Sequence, residues 1–137
     1  MSVTIITRWE SSQMPKDTEW RMWKQLVSSY KVDKVIAVPQ VPDWDCGRLC
    51  VEVNTMEEAL AMVDKSTLCF LEPKGEKSIT ELPDGDITLV LGNTEHSNAE
   101  YAEPEQMYHI STPAGPTKAH LYGTNAAAIA LATRWQK

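Results

Sequence analysis

Four short stretches of this chain are almost continuously apolar and rich in β-branched residues: Val3 to Ile6, Val35 to Val38, Thr67 to Leu71 and Ile87 to Leu91. Successive side chains of a strand point to opposite faces, so a strand without polar alternation must be covered on both sides. Segments with helical spacing lie between these runs. Strands of this kind alternating with helices predict an α/β domain, with a mainly parallel sheet and helices on both faces.

Punctuation along the chain supports the same reading. Ser11 to Asp17 is polar and contains Pro15, and Asp17 or Thr18 is the expected cap of a first helix. Trp20, Trp23, Val27 and Tyr30 then recur at three- and four-residue spacing, which places them on one face. Leu49 to Val53 reads as a short strand. Thr55 and Glu58 fit a capping box, opening a helix that buries Met56, Leu60 and Val63. Tyr108 to Ser111 reads as a last strand. An alanine-rich helix from Ala119 to Trp135 follows, with Leu121, Ala128, Ile129, Ala132 and Trp135 available for packing. A length of 137 residues, without internal repeat or linker, predicts one domain over 1–137.

Composition removes several classes of function. No apolar run approaches the ~20 residues of a membrane helix. The N-terminus lacks a basic start and signal-type core, so a cytoplasmic protein is expected. Thirteen Lys and Arg against nineteen Asp and Glu leave a net charge of −6, which argues against broad coating of DNA or RNA. The acid is unevenly placed, however. Glu72 to Glu105 carries nine acidic residues, whereas Gln106 onward has only Lys118, Arg134 and Lys137 as charged residues. A solvated acidic loop region accounts for this pattern, and so does an anion held near Lys118. Cys46, Cys50 and Cys69 are too few and odd in number for a disulfide framework, and a reducing setting is expected. The histidines share no ligand spacing with them, so no metal site is expected. Walker, G-x-G-x-x-G and G-x-S-x-G motifs are all absent.

Ligands of parallel α/β sheets bind outside the carboxyl ends of the strands. Three loops there stand out: Glu72-Pro73-Lys74-Gly75, Gly92-Asn93-Thr94-Glu95, and Ser111 to His120. Each alone reads as ordinary turn punctuation; together they mark a binding edge.

The same loops carry a resemblance. Leu-Val-Leu-Gly-Asn-Thr-Glu at 89–95, His-Ile-Ser-Thr-Pro at 109–113 and His-Leu-Tyr-Gly-Thr-Asn-Ala-Ala-Ala-Ile-Ala-Leu at 120–131 resemble the second and third motifs of the SPOUT methyltransferases, most closely the SpoU branch. Those sequences run strand–Gly-Asn-Glu, then Ile-Pro, then Ser-Leu-Asn-Val-Ser and an alanine-rich helix. The likeness also takes in Cys-Phe-Leu-Glu-Pro-Lys-Gly at 69–75 and holds from about Leu68 to the end.

This resemblance implies a C-terminal trefoil knot, S-adenosylmethionine in the knot loops, and homodimerisation near the knot. It implies cofactor contacts from Leu71, Glu72, Pro73, Leu91, Gly92, Asn93, Ile110, Thr112, Leu121 and Ala126. Because the sulfonium already carries the methyl, such an enzyme must mainly align the acceptor and remove its proton. Glu95, His120 and Tyr122 are the catalytic candidates, with Asn125 beside them. His120 also reads as an ordinary surface histidine or helix-cap partner, and Tyr122 as packing.

The chain departs from the pattern in places. Thr94 separates Gly92-Asn93 from Glu95, and His120 and Tyr122 replace the family's Ser and Asn. Aligning Ser28 to Asp33 with the family's Ala-Phe-Gly-Val-Asp puts Glu19 and Gln25 at its first-motif Asn and Arg. Arg8 and Arg21 are the available stand-ins for that Arg.

Two readings compete. One is a dimeric S-adenosylmethionine-dependent RNA methyltransferase, with tRNA ribose 2′-O-methylation as its expected reaction and an accessory protein to select RNA. The other is a degenerate SPOUT-like protein that binds RNA or a protein partner without methyl transfer. In either, Trp20, Trp23 and Trp135 are expected to include rings buried between subunits. An unrelated flavodoxin-like binding module would require an unknotted backbone.

Overall fold

The computed structural model describes residues 2–9, 15–40, 49–92, 97–113 and 123–136. Among these residues, seven strands form one sheet: β1 (Val3–Arg8), β2 (Lys34–Val38), β3 (Cys50–Glu52), β4 (Leu68–Leu71), β5 (Lys77–Ser78), β6 (Ile87–Leu91) and β7 (Met107–His109). Their order is β3-β2-β1-β6-β4-β7-β5, and every pairing is parallel. The expected α/β class is therefore observed.

The apolar runs divide their side chains between two cores. Ile5, Val35, Ala37, Cys69, Leu71, Leu89 and Leu91 enter one cluster, with helices α1 (Lys16–Tyr30) and α3 (Gly123–Trp135) lying over it. Ile6, Ile36, Val38, Phe70 and Val90 enter the other, covered by Met56 and Ala59 of α2 (Met56–Leu60) and by Tyr101 and Ala102. This period-two division is why the strands are apolar at consecutive positions.

Several local expectations need correction. Pro15, not Asp17 or Thr18, occupies the N-cap of α1, and no side chain caps that end. A proline at this point sets φ without needing a donor. Thr55 caps α2 as expected, its Oγ accepting from Glu58 N at 3.1 Å. The Glu58 carboxylate, however, takes the Thr55 hydroxyl (3.3 Å) rather than a backbone N–H. The helix stops at Leu60, leaving Leu60 and Val63 half-buried. β5 has no apolar signature; it is a two-residue edge segment, closed by a Ser78–Glu81 capping box.

On α3 the packed face is Thr124, Ala127, Ala130 and Leu131. Ile129 and Trp135 are exposed, contrary to the face expected, because small alanines rather than large side chains meet the sheet. Trp20 and Trp23 are already buried within the chain, so only Trp135, 81% exposed, is left to fill an interface. Cys50 is disulfide-bonded and Cys69 is free. The cysteine count therefore loses its force as a sign of a reducing compartment. Among the described residues no helix is long and apolar enough to cross a membrane, and no cluster of His, Cys, Asp and Glu could hold a metal.

Candidate functional site

The sheet reverses its winding between β1 and β6. From β1 the chain leaves through α1 on one face to reach β2; from β6 it leaves past Tyr101 and Ala102 on the other face to reach β7. Adjacent parallel strands whose connections diverge open a crevice at their carboxyl ends, the usual ligand position in such sheets. The start of α3 closes on this crevice. A Cβ added at Gly123 would lie 3.4 Å from Thr7 Oγ1, 3.8 Å from Leu91 Cβ and 3.6 Å from Trp23 Cζ2. One residue therefore touches the ends of β1 and β6 and the middle of α1.

Next to it, Thr124 is 4% exposed, and its Oγ1 has no hydrogen-bond partner among the described residues. A buried hydroxyl without a partner costs about 1–3 kcal/mol, which makes it a candidate contact for a ligand. It sits in the first turn of α3, where free N–H groups favour acceptor atoms. The sequence motif contained Thr124, but only the packing singles it out.

A second polar group spans the end of β6 from the other side. Asn98 is wholly buried. Its N–H donates to Glu72 Oε1 at 2.8 Å, and its Oδ1 accepts from Arg8 Nη1 at 2.9 Å. Ser97 Oγ donates to Glu72 Oε2 (3.1 Å), and Arg8 Nη1 also reaches the Ser97 carbonyl (3.4 Å). Arg8 ends β1 and Glu72 follows β4, the two strands flanking β6, so residues 97 and 98 are tied across the end of the central strand. Asn98 Nδ2 is left without a partner among the described residues. Tyr101 extends this anchorage by donating to Glu57 Oε1 of α2 at 3.1 Å.

The turn after β4 is locked onto β7. Glu72 N donates to the Tyr108 carbonyl (2.9 Å), Gly75 N to the Glu72 carbonyl (3.0 Å), and His109 Nδ1–H to the Gly75 carbonyl (2.8 Å). The third polar group lies at the start of α1. Glu19, 9% exposed, accepts from Trp23 Nε1 at 3.4 Å. The Lys16 ammonium donates to the Trp9 carbonyl and lies 5.5 Å from the centre of the Trp9 ring. Burial lowers the proton affinity of Lys16, and the Glu19 charge opposes that effect.

The residues expected from sequence are distributed as follows. Leu71, Glu72, Pro73, Leu91, Gly92 and Ile110 lie at the ends of β4, β6 and β7, on one edge of the sheet; Ile110 and Ala126 pack against the α1–α3 core. Thr112 follows three residues after β7. The Glu72 carboxylate is already engaged by Asn98 and Ser97, so it holds the loop. Asn93, Glu95, Lys118, His120, Leu121 and Tyr122 lie outside the described residues. Arg8 is committed to the 97–98 anchorage, and Arg21 and Gln25 are exposed on α1. Lys31, aligned with the family's Gly, ends α1 at φ 53°, a conformation that favours glycine. Sequence reasoning did not find Ser97 or Asn98, because no residue spacing marks partners brought together by crossovers, nor Lys16 and Trp9, which lie seven residues apart.

No family model matches the sequence, and no curated protein matches it. Solved structures do. A candidate RNA methyltransferase from Bacillus anthracis superposes at TM-score 0.73 with 13% identity, over 98% of this chain and 93% of that one. The chain has the SPOUT fold in its SpoU form. The SpoU methyltransferase AviRb of Streptomyces viridochromogenes, in complex with AdoMet, gives TM-score 0.71 at 16% identity; the match covers 98% of this chain and 57% of AviRb. A structure described for 2′-OH methylation of C/U34 on tRNA gives 0.70 at 10%, covering 98% and 89%.

Proposed function

We propose that this SPOUT-fold chain is an AdoMet-dependent RNA methyltransferase that works as a homodimer, with the C-terminal segment knotted as in that fold. The observation carrying this reading is the buried, unpartnered Thr124 hydroxyl where α3 meets the ends of β1 and β6. The donor set suits AdoMet: backbone groups at Gly92 and Ile110, apolar walls from Leu71 and Leu91, and the Thr124 hydroxyl in the first turn of α3. The AviRb complex with AdoMet supports that cofactor. When bound, AdoMet supplies an electrophilic methyl group. The chain must then exclude water, orient the acceptor and accept its proton. Glu95, His120 and Tyr122 stay proposed for the acceptor, and the structure for 2′-OH methylation on tRNA supports a ribose hydroxyl as the acceptor group. Exposed Ile129 and Trp135 on α3 support an apolar contact between two copies.

Calorimetric titration with S-adenosylhomocysteine tests the reading: micromolar binding is expected, and none at millimolar ligand would defeat it. Exposed Gln25, at the family's Arg, favours a second reading in which the fold binds RNA or a protein without transferring methyl groups. Transfer of labelled methyl to bulk RNA by the purified protein would eliminate that alternative.

A further inference from the structure

The outer side of α1 carries a row of cations. Arg21, Lys24, Ser28 and the C-cap Lys31 follow one another at three- and four-residue spacing, so they share one face of the helix, with Gln25 beside them, and all are exposed. From Arg21 to Lys31 the row is ~15 Å long at the α-helical rise. Among the described residues, none pairs or hydrogen-bonds with the Arg21, Lys24 or Lys31 side chains. The acidic groups of the same segment are held elsewhere: Asp33 accepts from the Val3 N–H (2.8 Å), Glu19 is buried against Trp23, and Asp17 lies in the first turn, where the helix dipole favours a carboxylate. On the other face of the sheet the balance reverses. Around α2 and residues 100–105, Glu57, Glu58, Asp64, Glu100, Glu103 and Glu105 are exposed, and only Lys65 opposes them there. The net charge of −6 thus conceals a basic face and an acidic one.

We propose that the α1 row is the docking track for the phosphate backbone of the RNA substrate; this rests on the methyltransferase reading. The helix starts at the site edge of the sheet and leads away from it. In its first turn Lys16 donates to the Trp9 carbonyl, just past the carboxyl end of β1, and beyond its last turn Asp33 N donates to the Val3 carbonyl at the amino end. RNA lying along the row therefore runs up to the edge where the crevice opens. Arg and Lys on phosphates position a nucleic acid without reading its bases, and groups such as Ser28 and Gln25 add hydrogen bonds to phosphate and sugar. No aromatic side chain stands in the row for a base to stack on, so the track holds RNA irrespective of its sequence. The acidic face repels the same backbone and leaves RNA one side of the domain to approach. Self-association through the row would set like charges against each other, whereas Ile129 and Trp135 of α3 offer an apolar contact. Arg134, the charged residue on that helix, is spent on the carbonyls of Pro83, Asp84 and Gly85 and adds nothing to the track.

Binding of labelled bulk tRNA to the full chain, titrated across salt concentration, tests the assignment. Each neutralised phosphate contributes about 0.7 to 0.9 to the slope of log affinity against log salt. R21Q/K24Q/K31Q should therefore flatten that slope by about two to three and weaken binding at low salt at least about tenfold. K65Q, which removes a cation from the acidic face, should leave both unchanged, while K24Q alone should flatten the slope by about 0.7 to 0.9. A triple variant with the wild-type slope overturns the proposal, and so does a wild type that binds no tRNA at low salt. Equal losses in K65Q and K24Q would mean that only net charge matters, which also overturns it. Polyglutamate that displaces the tRNA at equal charge concentration would assign the row to an acidic protein and overturn the RNA claim. S-adenosylhomocysteine affinity of the triple variant should stay within about twofold of the wild type, since the row lies outside the crevice. Failure of the wild type to bind S-adenosylhomocysteine would bring down the methyltransferase reading, whereas the salt slopes decide the RNA track by themselves.

Discussion

At the scale of single residues, two positions illustrate how closely the site is packed. Gly75 is packed so tightly that an added Cβ would lie 2.6 Å from Tyr108 N and 2.7 Å from two backbone carbonyl carbons of β7. Backbone cannot swing aside as a flexible side chain would. Gly75→Ala should therefore destabilise the domain by about 1–3 kcal/mol, measured by denaturant unfolding. Cys69 shows the opposite face of burial, which pushes its thiol up to about 11. An unfolded thiol ionises near 8.5, so between roughly pH 9 and 11 the unfolded chain gives up a proton that the folded chain retains. That contribution to stability is complete below this window and is lost as pH rises through it. Cys69→Ala should flatten the decline in unfolding free energy between pH 9 and 11; an unchanged slope would show that other groups set it.

At the scale of elements, the strand ends are organised by one buried carboxylate. Glu72 collects the Asn98 N–H and the Ser97 hydroxyl, and Arg8 holds the same two residues from the far side of β6. Glu72→Gln replaces one acceptor oxygen with a donor, leaving either Asn98 N–H or Ser97 Oγ facing an NH2 group. The expected cost is about 1–3 kcal/mol, with faster amide exchange at Asn98 than in the wild type. Because this clamp shapes the end of β6, S-adenosylhomocysteine affinity should fall as well, and calorimetry on the same variant would detect it. Sequence alone made Glu72 a cofactor contact through its place in the Glu-Pro-Lys-Gly loop. The loop was legible as a strand-end feature; the partners of the carboxylate, 25 and 26 residues away, were not.

At the scale of the whole molecule, the three tryptophans thought to serve an interface separate into two groups. Trp20 and Trp23 belong to the chain's own core, and Trp135 stands in solvent beside the turn of α3 that carries Ile129. In the dimer proposed above, Trp135 is the expected anchor, since large aromatic side chains dominate such contacts. Trp135→Asp should raise the dimer dissociation constant at least about tenfold, about 1.4 kcal/mol, by sedimentation velocity across a concentration series. A wild type that sediments as a monomer at micromolar concentration would contradict the dimer itself.

The apolar runs determined the sheet: side chains at consecutive positions have to be buried on two sides, and that requirement can be read locally. The same holds for the Thr55 cap and for Ile87–Leu91, whose limits agree with the structure. The order β3-β2-β1-β6-β4-β7-β5 could not be read that way, because any parallel sheet would satisfy the same hydrophobic pattern. That order alone sets the winding reversal between β1 and β6 and brings Gly123 against both strands. The exposed side of α3 was equally hidden, since a run of alanines carries almost no amphipathic contrast to say which side is covered. Local chemistry thus specified which segments are strands and which are helices. Only the tertiary structure decided which distant groups meet: Arg8 with Asn98, and Glu72 with Asn98, while Thr124 Oγ1 is left without a partner among the described residues.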